Sequence, residues 1–117
     1  MNNNEATVTI TRTIAPEFID DVITTACEGG INHWANSFSR TLNHIRIVES
    51  EDARTHNLTV QTLVNAMHVI INGMVRINSA TRAEITEGVF NNDAGMIDAD
   101  GADAIVQVAV FGELIYG

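Results

Sequence analysis

One six-residue segment, Gly29 to Trp34, carries the side chains best suited to hold a small ligand. Asn32 and His33 can each donate and accept hydrogen bonds, and the only tryptophan of the chain follows them directly. The indole ring could stack on a flat ligand, whereas the alternative is that Trp34 covers an edge of the core. An arginine farther along the chain could contact an anionic group. The residues predicted to bind a ligand are therefore Asn32, His33, Trp34, Arg40 and Arg46.

A second group of polar side chains lies near the C-terminus, where residues 83–117 contain seven acids and no base. The stretch from Asp98 to Asp103 has the composition of a calcium-binding loop. With Gly101 at loop position 6, however, positions 1 and 12 fall on Met96 and Gln107, so an EF-hand is excluded. We therefore expect no bound metal. Together the acids form a surface of one sign that could attract a basic partner.

The remaining reactive residues do not form a recognisable catalytic set. The four histidines are spaced by 11 or 12 positions, which does not give the short histidine pairs of metal sites. Because the chain has no lysine, a Schiff base and a P-loop are both excluded. Its single cysteine, Cys27, is predicted to be a small buried side chain. We expect no catalytic activity and no cofactor; the alternative is a small metal-dependent hydrolase that uses His33, Glu28 and the acids of residues 93–103.

Charge and hydropathy restrict the partners and the location of the protein. The net charge is −9 at pH 7, from 15 acids and six arginines, which disfavours binding to nucleic acid. All six arginines lie between positions 12 and 82, so the middle of the chain could still hold a small anionic ligand. Residues 1–5 lack the features of a signal peptide, and the most apolar stretch, residues 104–116, is too short to span a bilayer. We expect a cytoplasmic protein without membrane contact.

The first half of the chain predicts two strands and one helix. Strict alternation of β-branched residues indicates a strand over residues 7–14. Pro16 fits the first turn of a helix, and apolar residues then recur at helical spacing until Gly29-Gly30, where glycine can adopt a left-handed cap. Residues 42–48 indicate a second strand, with its two isoleucines on one face.

The second half predicts three helices. Thr59 is a good N-cap for the first of them, and the next begins at Asn78 or Ser79. Residues 101–114 are predicted to form a buried helix, with a strand as the alternative because several valines alternate with other residues. The predicted caps of this last helix are Asp98 or Asp100.

These elements predict one α+β domain over residues 1–117, with a polar, disordered segment at residues 1–5. A small antiparallel sheet, from residues 7–14 and 42–48, packs against about four helices, of which the C-terminal one is buried. A chain of this size buries a limited fraction of its surface alone, and its mean hydropathy is +0.08. We therefore expect a homo-oligomer.

Two separated segments carry a resemblance to a known family. Residues 28–34, Glu-Gly-Gly-Ile-Asn-His-Trp, and residues 103–117, which contain Asp-x-x-x-Gln and close with Phe-Gly-Glu-Leu-Ile-Tyr-Gly, resemble motifs of small proteins encoded by phages and prophages. That family has tyrosine where this chain has His33. The resemblance implies a phage-encoded source, but it assigns no role to a residue because the family has no settled activity.

The function predicted from these observations is that of a phage-type accessory protein that acts by binding and not by catalysis. Such a protein would inhibit host defence or a host factor, through contact with a host protein or by sequestering a small anionic ligand. Besides the hydrolase, the second alternative is a structural or assembly component of a virion.

Overall fold

The computed structural model describes residues 11–41 and 44–117. Within them, the chain forms four α-helices and a three-stranded antiparallel sheet, which confirms the predicted α+β fold. A π-helical turn follows the first helix and a short 3₁₀ turn precedes the last one. In chain order the regular elements are α1 (Pro16–Thr25), β1 (Ala35–Thr41), β2 (His44–Glu49), β3 (Thr55–Thr59), α2 (Val60–Ile71), α3 (Ser79–Phe90) and α4 (Ala99–Phe111).

The sheet differs from the prediction in its first strand. Residues 11–14 do not form a strand, and the rest of the predicted strand 7–14 lies outside the described residues. The first strand is β1, whose residues are mostly polar and exposed, so no apolar alternation marks it in the sequence. β2 confirms the described part of the predicted strand 42–48, and Ile45 and Ile47 are both buried on its inner face.

The helices begin where capping residues predict them. Pro16 occupies the first turn of α1, Thr59 caps α2 through a hydrogen bond from the backbone N–H of Thr62, and Asn78 caps α3. The helical segment ends at Gly30 as predicted, but its last turn, Ala26–Gly30, is π-helical, and the predicted left-handed cap is wrong because neither Gly29 nor Gly30 has a positive φ. Glycine at position 30 instead permits close packing of this turn against α4.

Helix α4 lies at the centre of the fold and confirms the helical prediction for its sequence. Asp98 caps it by accepting a hydrogen bond of 2.8 Å from the backbone N–H of Gly101. Gly112 ends it with a φ of +79°, the left-handed conformation that glycine adopts most readily. Seven of its residues are buried: Gly101, Ala102, Ala104, Ile105, Val106, Gln107 and Val108. No helix in the described part of the chain is long and apolar enough to cross a membrane.

Candidate functional site

The two motif segments, residues 28–34 and 103–117, are far apart in the sequence and meet at α4. The π-helical turn packs so closely on the start of this helix that a Cβ atom added to Gly30 would lie 2.8 Å from the backbone oxygen of Ala99. The residues after the turn then reach the side chain of Asp103, one turn farther along α4. We call the resulting group the Asp103 cluster, which consists of His33, Trp34, Asp103, Gln107 and Tyr116.

The carboxylate of Asp103 is the centre of this cluster. The indole Nε1 of Trp34 donates a hydrogen bond of 2.7 Å to its Oδ1, and Nε2 of His33 lies 2.9 Å from its Oδ2. Gln107 Nε2 donates to both oxygens, at 3.1 and 3.0 Å. The side chain of Asp103 is 14% exposed, whereas that of His33 is 41% exposed. Three donors therefore hold a largely buried carboxylate, and His33 is the donor that is exposed to solvent.

Gln107 connects Asp103 to the C-terminal tail, residues 112–117. Its side chain is fully buried, and its Nε2 also donates to the backbone oxygen of Tyr116 at 2.9 Å. Its Oε1 accepts hydrogen bonds of 2.9 Å from the backbone N–H groups of Ile115 and Tyr116. One buried amide side chain thus satisfies three backbone groups of the tail, which fixes the tail on the core.

Aromatic rings cover the cluster on the side of the tail. The ring of Tyr116 stacks on that of Trp34 with a centroid distance of 5.7 Å and an angle of 2° between the planes. Phe111 lies tilted against both rings, at 5.5 Å from Trp34 and 5.9 Å from Tyr116. Because Trp34 is 2% exposed, its ring is part of the core and its tail-side face is occupied by a side chain of the same molecule.

The hydroxyl of Tyr116 extends the network to a buried carboxylate on β2. It donates a hydrogen bond of 3.1 Å to Oε2 of Glu49, while Nε2 of His56 lies 2.6 Å from Oε1 of the same residue. The hydrogen bond from His56 holds the pKa of Glu49 below its ordinary value, although burial opposes this shift. Burial, followed by the hydrogen bond to Glu49, raises the pKa of Tyr116.

The structure brings together only part of the predicted ligand-binding set. His33 and Trp34 share Asp103, and Asn32 is exposed beside them in the sequence. Arg40 instead reaches α1, where it donates to Thr24 and forms an ion pair with Asp20. Arg46 is exposed on the outer face of β2. The covered ring of Trp34 fits the alternative of a core residue, and the ligand-binding role of these residues stays a prediction.

Sequence reasoning missed four members of this network as participants: Glu49, His56, Gln107 and Tyr116. A signal existed for Gln107, because it follows Asp103 by four positions and must share its helix face. For Tyr116 the signal was its place in the closing Phe-Gly-Glu-Leu-Ile-Tyr-Gly motif. Nothing in the local sequence pattern links Glu49 to His56, since a turn and the sheet register bring them together.

The chemistry of the network is that of an internally satisfied polar core. Among the described residues, no buried side-chain nitrogen or oxygen lacks a hydrogen-bond partner, and no group of three potential metal ligands occurs. Two carboxylates, from Asp103 and Glu49, lie within it, which disfavours an anionic ligand at this place. Cys27 is half-buried nearby in the sequence, and burial, with the charge of Glu28, raises the pKa of its thiol.

No family model, no curated protein and no solved structure matches this chain.

Proposed function

We propose that this chain is a binding protein without catalytic activity, which uses an acidic surface to contact a basic surface of another protein. The phage-like motifs suggest the role of an accessory factor that inhibits host defence or a host factor in the host cytoplasm. The observation that carries the proposal is the uneven distribution of charge, because residues 83–117 contain seven acids and no arginine.

The acidic segment consists of residues 83–117, which belong to α3, α4 and the stretches that follow each of these helices. Five of its seven acids are exposed: Glu87, Asp93, Asp98, Asp100 and Glu113. In the described residues, the arginine ion pairs involve Asp20 and Asp52, which both lie outside this segment. An unneutralised surface of one sign favours fast, salt-sensitive association with a surface of the opposite sign.

The Asp103 cluster supports protein contact over sequestration of an anionic ligand. Its tryptophan is covered by Tyr116, the carboxylates of Asp103 and of neighbouring Glu49 oppose a negative ligand, and Arg40 and Arg46 lie on other elements. We infer that the two motif segments build the scaffold that presents α3 and α4.

A pull-down from bacterial host lysate, with native mass spectrometry of the recovered complex, tests the proposal. The test variant is E87Q/D100N/E113Q, and the matched control is E17Q/D21N/E51Q. Each removes three exposed acids without a side-chain hydrogen bond among the described contacts, and each changes the net charge from −9 to −6 (−9 plus 3). Any difference between them therefore reports position and not total charge.

We expect a stoichiometric protein complex that the wild type and the control retain, that the test variant loses, and that dissociates as salt is raised. Equal loss of the complex in both variants would contradict the acidic segment as the contact surface. A bound small molecule without a protein partner would favour the sequestration alternative and overturn the proposal.

A further inference from the structure

We propose that the outer edge of β1 pairs with β1 of a second copy, so that two molecules form one continuous six-stranded sheet. The strand order β1-β2-β3 places β1 at an edge, and in the described residues only β2 pairs with it. This surface is separate from the acidic segment, residues 83–117, so the proposal can fail or succeed independently of the proposed function.

The exposure of β1 is the first observation behind this proposal. Every residue from Asn36 to Thr41 is exposed, and Phe38, in the middle of the strand, is 40% exposed. An edge strand presents backbone N–H and C=O groups that can pair with another strand. Phe38 lies opposite Ile47 in the sheet register and therefore extends the apolar inner face of β2 to this edge.

The features that normally protect an edge are weak in β1. The strand contains no proline and no lysine, and its irregular register is confined to the start, between Ala35 and Ser37. Its one charge, on Arg40, is already paired with Asp20 of α1. The segment from Ser37 to Thr41 is thus a regular edge whose single charge is paired with an acid of the same molecule.

Charge also identifies a second copy as a suitable occupant. Two molecules with a net charge of −9 repel each other, yet no acid occurs from Gly29 to Val48, the stretch that contains all of β1 and most of β2. Because β1 has a single charge, an antiparallel pair of β1 strands places like charges opposite each other only when it is centred on Arg40. Registers centred on Ser37, Phe38 or Ser39 avoid this repulsion.

The sheet register supplies a matched pair of variants for the test. Ser39 and Asn57 both lie opposite Arg46, one on β1 and the other on β3, and both are exposed. Ser39→Lys and Asn57→Lys therefore place the same charge beside the same arginine on the two edges of one sheet. Sedimentation equilibrium over a range of protein concentrations measures the dissociation constant of each dimer.

We expect the wild type and Asn57→Lys to dimerise alike, and Ser39→Lys to raise the dissociation constant by about tenfold or more. A second measurement uses cysteine at position 37, 38 or 39 in a Cys27→Ala background. The position at the two-fold axis should form an intermolecular disulfide on oxidation, because directly opposed Cβ atoms lie about 4.5–5.5 Å apart.

Three results would overturn the proposal: a wild type that stays monomeric at all concentrations, a dimer that Ser39→Lys leaves intact, or equal weakening by both lysine variants. The last of these would indicate β3, or charge alone, as the determinant of association.

Discussion

The indole Nε1 of Trp34 donates a 2.7 Å hydrogen bond to Oδ1 of Asp103, and this bond joins residues 69 positions apart. Trp34 lies immediately before β1, and Asp103 lies in the second turn of α4. The bond therefore holds the residue that precedes the sheet against the central helix, α4. Because the donor is almost fully buried, its loss leaves a polar group that water cannot easily satisfy.

A double-mutant cycle on Trp34 and Asp103 tests this bond. Trp34→Phe keeps an aromatic ring but removes the donor, and Asp103→Asn removes the charge that all three donors share. We expect each single variant to lower the free energy of unfolding by about 1–3 kcal/mol, with a coupling energy of about 1 kcal/mol, measured by urea denaturation. His33→Asn, which alters the exposed edge of the cluster, should cost less than about 1 kcal/mol. Additive losses would show that the bond is energetically unimportant.

The two adjacent glycines predict opposite effects of the same substitution. A Cβ atom at Gly30 would lie 2.8 Å from the oxygen of Ala99 and 3.3 Å from the nitrogen of Asp103, whereas one at Gly29 meets no atom within 4 Å. Gly30→Ala should therefore lower the free energy of unfolding by about 1–3 kcal/mol, since it forces two backbone segments apart. Gly29→Ala should leave it unchanged or raise it by up to about 1 kcal/mol. Thermal denaturation of both variants decides this, and equal effects would contradict the close packing of the turn.

The sequence predicts most of the helical structure because capping and helical periodicity are local. Thr59, Asn78 and Asp98 each cap a helix through a hydrogen bond from a backbone N–H two or three residues later, and Pro16 starts α1 through its fixed φ. β1 was not predicted because it is exposed on both faces, and such a strand does not need the alternation of apolar residues that marks a half-buried strand. The Thr-rich pattern at residues 11–14 shows the converse, because β propensity alone does not place a segment in the sheet.

Only the residues of the candidate site that have a distinctive type could be predicted from the sequence. Trp34 and His33 are notable by residue type, but their common partner lies about 70 positions away and is found only through the fold. Arg40 shows the limit of such reasoning in the other direction. Its side chain forms an ion pair with Asp20 on α1, so the arginine that was predicted to contact an anionic ligand already has an acidic partner within the molecule.

Replacement of Gln107 tests whether this residue holds the tail. Gln107→Leu keeps a buried side chain of similar size but removes the partners of the Ile115 and Tyr116 backbone groups. We expect a loss of about 1–3 kcal/mol in the free energy of unfolding, with faster hydrogen exchange at both tail amides. The control Gln61→Leu, at an exposed site on α2, should change stability by less than about 0.5 kcal/mol. Unchanged hydrogen exchange in the tail would contradict the role of Gln107 in holding it on the core.

Stability should depend on Glu49 in the acid range. Because the folded state lowers the pKa of this carboxyl below 4.5, the unfolded chain binds its proton more tightly. The ionised carboxyl of Glu49 therefore contributes its full stabilisation of the folded state above the pKa of the unfolded chain. This stabilisation is lost as the pH falls through the lower pKa of the folded state. Urea denaturation from neutral to acid pH should show a stability difference between wild type and Glu49→Gln that shrinks below about pH 4.5. A difference that stays constant with pH would contradict this role.

Stability should depend on Tyr116 in the opposite sense, falling as the pH rises in the alkaline range. Because Tyr116 is the only tyrosine, its hydroxyl can be titrated directly. Burial and the hydrogen bond to Glu49 raise its pKa above 10.0 in the folded protein, so its contribution is present below pH 10.0 and lost as the pH rises through the folded value. Ultraviolet absorbance of the phenolate should titrate above pH 10.0 in the native state and near 10.0 in urea. In Glu49→Gln the native midpoint should fall only part of the way, since burial remains. Identical midpoints in the native and unfolded states would show that the tail does not dock its hydroxyl on Glu49.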